Sequence, residues 1–114
     1  MKILITGSRG MVGRNIIEHP ASSQYEILSP TSKELDLLDI TSVNSYINTN
    51  KPDMIIHAAG IVGGIQANMA HPVKFLVGNM YMGLNILTVA KESGVKKFMN
   101  LSSSCMYPRD AQNP

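Results

Sequence analysis

Cysteine, net charge and long apolar runs are all scarce in this sequence. The single cysteine, Cys105, excludes an internal disulfide and favours a cytoplasmic location. The formal net charge of +2 at pH 7 is too small for binding to nucleic acid or to an acidic membrane. No apolar run approaches the roughly 20 residues of a membrane span, and the run after Lys2 is too short for a signal peptide. We therefore expect neither a nucleic-acid nor a membrane partner.

What the sequence does contain is typical of one soluble globular domain. Hydrophobic residues make up 44% of the 114 positions, and the mean hydropathy is close to zero, at +0.02. A chain of this length can bury a hydrophobic core, but it is short of a complete dinucleotide-binding enzyme. We therefore interpret residues 1–114 as a single domain.

The first thirteen residues carry the strongest functional signal. An apolar run at 3–5 is typical of a buried parallel strand, and Gly7, Gly10 and Gly13 follow it before a helical apolar pattern that begins at Met11. Glycines allow a sharp turn and a close approach of phosphate to the backbone, and the helix N-terminus offers free N–H groups. This context predicts a dinucleotide site; the alternative is an ordinary glycine-rich turn.

The remaining chain alternates between strand and helix patterns. We predict strands at 3–5, 25–28, 35–38, 54–60 and 98–101, and an apolar glycine-containing loop at 61–65. Helices are predicted after the glycine loop, from about 40 to 51 and from 72 to 93. The expected fold is an α/β domain, a truncated Rossmann-type parallel sheet of about five strands with helices on both faces.

The residues after the second predicted strand bear on the choice of cofactor. An acid there holds the ribose 2′-hydroxyl of NAD, whereas a basic group suits the 2′-phosphate of NADP. Residues 29–32 contain no carboxylate, while Arg9 and Lys33 are nearby cations. We therefore favour NADP(H). Two alternatives stay open: Glu34 could fill the acidic role, and both cations could be solvated surface residues.

Small and hydroxyl side chains follow the last two predicted strands. His57 is followed by Ala58, Ala59 and Gly60, which allow a ribose and a pyrophosphate to pass close to the backbone; His57 itself is expected to pack at the strand end. The last strand leads into residues 102–105, three serines and Cys105. These groups are candidates for chemistry beside the cofactor, or else a polar transition from strand to loop.

Three segments carry a resemblance to a known family. T-G-S-R-G-M-V-G (6–13), H-A-A-G-I-V-G-G-I (57–65) and S-S-S-C-M-Y-P (102–108) resemble the GDP-L-fucose synthase family. These are NADPH-dependent GDP-4-keto-6-deoxy-mannose epimerase/reductases of the extended short-chain dehydrogenases. The resemblance implies cofactor contacts around the phosphates, the adenine and the nicotinamide ribose. The implied phosphate contacts are Gly7, Arg9, Gly10, Met11 and Val12. Asp36 and Leu37 would flank the adenine, and Ala58, Ala59 and Gly60 would line the path of the ribose and pyrophosphate. Asn79 matches a structural asparagine on the cofactor side.

The resemblance also assigns chemistry to two residues. Ser103 matches the serine that hydrogen-bonds the substrate keto oxygen, and Cys105 matches the cysteine that acts as acid or base in epimerisation. No metal site is implied. The family's Tyr-x-x-x-Lys pair has no counterpart, since no tyrosine here is followed four residues later by lysine. We therefore expect an incomplete NADP-binding domain without the sugar-nucleotide domain, inactive as a reductase by itself.

The resemblance leaves the substrate and the assembly open. The expected substrate is a GDP-linked keto-deoxy sugar. The alternatives are another GDP-linked keto sugar, such as a heptose, and a catalytically dead NADP-binding module. Helix 73–93 is apolar around much of its circumference and requires burial on more than one side. Because the family forms dimers through helix bundles, a homodimer through this helix is expected.

Overall fold

A computed structural model describes residues 1–103, 106–108 and 110–112. The described chain forms one parallel sheet in the order β2-β1-β3-β4. The strands are β1 (Lys2–Thr6), β2 (Glu26–Leu28), β3 (Met54–His57) and β4 (Lys97–Asn100). The helices are α1 (Met11–Glu18), α2 (Ile40–Asn50), α3 (Ile65–Ala70) and α4 (Pro72–Glu92), with a 3-10 helix at Pro20–Gln24.

Helices cover both faces of this sheet because its central strands are apolar on both sides. Ile3, Ile5 and Ile56 form one cluster, against which Ile16 and Ile17 of α1 pack. Successive strand residues point to opposite faces, so Leu4 and Ile55 lie on the other face. There they pack against α2 and α4 through Val43, Ile47, Met82, Ile86, Val89 and Ala90. The predicted Rossmann-type α/β fold is thus confirmed.

The prediction of a strand at 35–38 is wrong, and the described sheet has four strands instead of about five. Leu35 and Leu37 are buried in the core, which explains their strand-like spacing. The backbone, however, is bonded by side chains: Leu38 N–H donates to Asp36 Oδ1 at 2.9 Å, and Asp36 N–H donates to the Ser42 hydroxyl at 3.1 Å. Such local bonds compete with strand pairing, so this segment is an anchored loop.

The predicted helices begin and end close to their expected positions. Asp39 caps α2 through a bond from Thr41 N–H, and α4 begins at Pro72 and ends before Gly94, whose φ is +71°. The short helix α3 was not predicted; it begins at Ile65, the last residue of the predicted loop. Within the described residues, α4 is long and apolar enough to cross a membrane by length and composition, and 22% of its most apolar window is buried. The buried side packs on the sheet.

Candidate cofactor-binding site

A cleft opens where the chain connections diverge at the carboxyl edge of the sheet. The chain passes from β1 to β2 on one side and later returns to β3 on the other. Open α/β sheets bind ligands at such a switch point. The cleft has a volume of about 980 Å³. Its walls include nearly all the predicted site residues: Gly7, Arg9, Gly10, Met11, Val12, Asp36, Leu37, Ala58, Ala59, Gly60, Asn79 and Ser103.

Gly7 stands where the backbones leaving β1 and β3 almost touch. Its φ is +69°, and a Cβ placed there would lie 2.6 Å from the carbonyl oxygen of Ala58 and 2.7 Å from the Cα of Ala59. Both the left-handed backbone and the lack of space require glycine. The turn leaves no side chain between the cleft and the backbone at this position.

The next two glycines connect this turn to α1. Gly10 N–H donates to the Gly7 carbonyl at 2.9 Å, and Gly10 is the N-cap of α1 with no side chain of its own to cap it. A Cβ on Gly13 would overlap the Gly7 carbonyl, so this glycine lets α1 pack against the turn. The first turn of α1 therefore presents uncapped N–H groups beside the cleft, which suits a phosphate.

The glycine loop is also connected to the chain beyond β2. The Ser8 hydroxyl lies 3.4 Å and 3.3 Å from the carbonyl oxygens of Ser29 and Pro30, to which it donates. Sequence reasoning missed Ser8, although its hydroxyl inside a glycine loop was a visible signal. This contact holds the β2 side of the cleft against the phosphate-binding turn.

Residues 31–34 form a turn that contains Lys33 and Glu34, two of the charged residues that could select the cofactor. Glu34 accepts a hydrogen bond from Thr31 N–H at 2.7 Å, and this bond, with a smaller contribution from Arg9, lowers the pKa of the Glu34 carboxyl. Arg9 lines the cleft together with Thr31 and Ser32. Lys33 and Glu34 are in the turn but do not line the cleft. Arg9 is thus the cation that the structure brings to this wall.

Two asparagines of α4 hold the loops on opposite sides of the cleft. Asn79 accepts from Ile61 N–H at 2.8 Å and donates to the Ile61 carbonyl at 2.9 Å, which fixes the loop after Gly60. Asn85 donates to the Leu37 carbonyl at 2.9 Å. The sequence singled out only Asn79; Asn85 was missed, although it is another amide in the same apolar helix.

His57 packs under the cleft at the end of β3. Its Nδ1 lies 2.8 Å from the Thr6 hydroxyl in a buried hydrogen bond that joins β3 to β1. Burial lowers the pKa of His57 below its ordinary value of 6.5. This position agrees with the packing role predicted for His57 and adds the bond to Thr6.

The shifted pKa of His57 makes stability depend on pH. Since the folded state disfavours the charged ring, the unfolded state binds more protons below about pH 6.5. Stability should therefore fall with pH from there down to the folded pKa, by at most about 1.4 kcal/mol per pH unit for one group. The Glu34 carboxyl, whose pKa is lowered in the fold, contributes stability that is lost only as the pH falls below its ordinary pKa of 4.5.

Urea unfolding between about pH 7.5 and pH 5 measures this dependence. His57→Asn keeps a hydrogen-bonding partner for Thr6 without titrating, so its stability curve should be flatter. His71→Asn, at an exposed position, is the control and should keep the wild-type slope. An unchanged slope in His57→Asn would contradict the assignment.

The carboxyl end of β4 brings the second predicted chemical group to the same cleft. Ser102 and Ser103 line the cleft opposite the glycine loop. Cys105, predicted to act in epimerisation, lies outside the described residues. Among the residues that the structure describes, no three histidine, cysteine or acidic side chains are grouped to hold a metal ion.

Comparison with known proteins identifies the family. Residues 3–114 match the NAD dependent epimerase/dehydratase family, and the chain belongs to it. Over 99% of its length the chain is 58% identical to the GDP-L-colitose synthase of Yersinia pseudotuberculosis and 51% identical to the GDP-L-fucose synthase of Azorhizobium caulinodans. The predicted resemblance is confirmed. The chain spans only 37% and 36% of these two relatives.

A solved structure with the same fold contains NADP. The GDP-mannoheptose C4 reductase of Campylobacter jejuni, with NADP bound, matches 99% of this chain and 36% of that protein, with a TM-score of 0.88 and 29% identity. That structure combines NADP with a reductase of a GDP-linked sugar.

Proposed function

We propose that this chain is the NADP(H)-binding, N-terminal portion of an NADPH-dependent epimerase/reductase that acts on a GDP-linked 4-keto-6-deoxy sugar. The observation that carries the proposal is the cleft at the switch point, where Gly7 and the open N-terminus of α1 leave room for a pyrophosphate. The relatives named above support the sugar class. Below, the intact enzyme means the protein formed by this chain and the region that those relatives carry beyond it; its expected location is the cytoplasm.

The residues around the cleft suit a dinucleotide. A Cβ at Gly7 would overlap the neighbouring backbone. The N–H groups at the start of α1 face the region where a pyrophosphate would bind. Ala58 and Ala59 form the floor beside them. When bound, NADPH supplies a hydride to the carbonyl carbon of the sugar.

The preference for NADPH over NADH is assigned to Arg9. Arg9 lines the cleft beside Thr31 and Ser32, whereas Glu34 does not line it and accepts a hydrogen bond from Thr31 N–H. Arg9 is therefore the cation available to a 2′-phosphate. Lys33 remains a second candidate that could approach from the same turn.

Replacing Arg9 with alanine should weaken NADPH much more than NADH. A charge-assisted hydrogen bond contributes about 1.5–3 kcal/mol, so the dissociation constant for NADPH should rise roughly 10-fold or more, while that for NADH changes little. Calorimetric titration of the intact enzyme with both cofactors measures this, and Lys33→Ala shows the contribution of the neighbouring cation. Equal losses for both cofactors in Arg9→Ala would refute the 2′-phosphate assignment.

In the reaction we assign Ser103 and Cys105 to the sugar. Ser103 donates a hydrogen bond to the 4-keto oxygen, which stabilises the negative charge that develops there on enolisation and on reduction. Cys105 exchanges protons at a carbon next to the carbonyl during epimerisation, a role that requires its thiolate form when it acts as base. The proton for the final alkoxide comes from the family's Tyr-x-x-x-Lys pair, which this chain lacks. The isolated 114-residue chain should therefore not reduce the sugar.

A second candidate product is GDP-L-colitose. The Yersinia relative at 58% identity carries that name, against 51% for the GDP-L-fucose synthase. A GDP-linked heptose remains a third substrate class, in view of the Campylobacter structure.

The test is turnover by the intact enzyme with NADPH and each keto sugar in turn. NADPH oxidation with GDP-4-keto-6-deoxy-mannose, and NMR identification of GDP-L-fucose, is the expected result. Faster turnover of the keto sugar whose reduction yields GDP-L-colitose would favour the colitose reaction. Cofactor binding without turnover of any of these sugars would instead support a catalytically dead NADP-binding module.

We also propose that the intact enzyme is a homodimer through α4. One side of α4 is apolar and exposed from Val73 to Leu87, and its residues are between 39% and 70% exposed. They are Val73, Leu76, Val77, Met80, Tyr81, Leu84 and Leu87. Monomeric proteins rarely leave so continuous an apolar surface uncovered.

Placing a charge in this apolar surface should dissociate the assembly. Leu84→Glu would bury a carboxylate without a partner in the interface, which is costly. Light scattering at micromolar concentration should show a dimer or larger species for the wild type and a monomer for Leu84→Glu. Lys74→Glu, at an exposed charged position of the same helix, should remain associated. A wild-type monomer would refute the proposal.

A further inference from the structure

The adenosine side of the cleft is formed by the loop at 35–38, which no strand supports. In dinucleotide folds, the region beyond the second strand holds the ribose of the adenosine half. Here that region continues into Asp36, Leu37 and Leu38, all of which line the cleft. The loop's position therefore decides the shape of the adenosine pocket.

The leucine side chains of this loop are held by packing in the core, whereas its backbone is held by hydrogen bonds. Leu35 and Leu37 are buried in the core under α2 and α4. The Asp36 N–H donates to the Ser42 hydroxyl, and the Leu38 N–H donates to the Asp36 carboxylate within the loop. The carbonyl of Leu37 instead accepts the amide of Asn85, 48 residues away on α4.

Asn85 is well placed to fix the position of the loop relative to α4. Asn85 is half-buried in the second half of a 21-residue helix. The nearby side chains of Ile86, Val89 and Ala90 pack in the core on the sheet. A residue on such a packed helix moves less than a loop. The second amide, Asn79, makes the corresponding contact on the nicotinamide side, about 9 Å away along the helix axis at 1.5 Å per residue.

We propose that Asn85 is a positioning residue for the adenosine half of the cofactor, acting through the Leu37 carbonyl. The proposal rests on the proposed function, since it requires that the cleft binds NADP(H). Two asparagines of one helix would then position the two halves of one cofactor. Asn85 holds the cleft wall at Leu37, and Asn79 holds the cleft wall at Ile61.

The test uses the two halves of the cofactor as separate probes of the intact enzyme. Calorimetric titration gives dissociation constants for NADPH, for 2′,5′-ADP and for reduced nicotinamide mononucleotide. Asn85→Leu removes the amide donor at similar volume. With the loop in its binding position about one-tenth of the time, this variant's affinities for NADPH and 2′,5′-ADP should fall roughly 10-fold, because the apparent affinity scales with the binding-competent fraction of the protein. Its affinity for the mononucleotide should stay within about twofold of wild type. Asn79→Leu should show the opposite division.

A structural role alone would give a different pattern. Ser93→Ala removes the bond from the Ser93 hydroxyl to Asn48 Oδ1 that joins α4 to α2 at 3.1 Å; it should lower the melting temperature and leave 2′,5′-ADP binding unchanged. Asn85→Asp, which keeps the shape but has no donor, should repeat the loss of Asn85→Leu and serves if that variant is unstable. An unchanged affinity for 2′,5′-ADP in a folded Asn85 variant would overturn the proposal. A wild-type enzyme that binds neither NADPH nor 2′,5′-ADP would overturn the proposed function itself.

Discussion

Gly7→Ala should destabilise the fold strongly and abolish cofactor binding. The left-handed backbone alone costs a residue with a Cβ about 1–2 kcal/mol. In addition, the new methyl group would lie 2.6 Å from the Ala58 carbonyl oxygen and 2.7 Å from the Ala59 Cα, and these are backbone atoms of the central strand's exit, so β1 and β3 would have to separate. The loss of unfolding free energy should exceed about 3 kcal/mol, measured by urea denaturation.

Gly94 provides a matched control, because it shares the backbone conformation without the crowding. Its φ is +71°, and nothing lies within 4 Å of the position where its Cβ would be. Gly94→Ala should therefore cost only the conformational term of about 1–2 kcal/mol and leave the cofactor affinity intact. If the two variants lost equal stability, the close approach of Gly7 to Ala58 would not matter as we describe.

Ser103→Ala should slow both the epimerisation and the reduction of the keto sugar by the intact enzyme. Both steps place negative charge on the same oxygen, and loss of one donor to such an oxygen costs ~10²–10³-fold in kcat. Cys105→Ser should differ, because a serine hydroxyl is a far weaker base than a thiolate, and only the proton exchange depends on it. Its epimerisation should therefore fall by much more than its hydride transfer.

Two assays on the same samples separate these effects. Deuterium incorporation from solvent into the sugar carbons reports proton exchange, and NADPH oxidation reports hydride transfer. Ser102→Ala, at a neighbouring residue that also lines the cleft, is the control for Ser103. Undiminished deuterium exchange in Cys105→Ser would show that the thiol only packs. Exchange that survives at the wild-type rate in Ser103→Ala would remove that serine from the mechanism.

The elements with strong local signals could be predicted from the sequence. Gly7 and Gly13 leave no room for a Cβ. Pro72 suits the first turn of α4 and Gly94 suits the position after its end, and such preferences are visible in a single sequence. The parallel sheet and its helices on both faces followed from uninterrupted apolar strands. The walls of the cleft then followed from the rule for carboxyl ends of strands.

The errors and omissions have a common physical origin in contacts between distant residues. Leu35 and Leu37 alternate as in a strand, but whether a neighbouring strand is present to pair with them depends on the rest of the fold. Asn85 reaches Leu37 across 48 positions, and no local pattern indicates such a partner. That Ser32 lines the cleft while Lys33 does not depends on the turn built by Thr31 and Glu34.

The most direct test of the central claim is a crystal structure of the intact enzyme with NADPH. We expect the pyrophosphate against the N–H groups at the start of α1, beside Gly7 and Gly10. The adenosine half should lie toward Leu37 with its 2′-phosphate near Arg9, and the nicotinamide toward Ser103. A cofactor bound outside this cleft, or in the cleft with its two halves exchanged, would contradict the account.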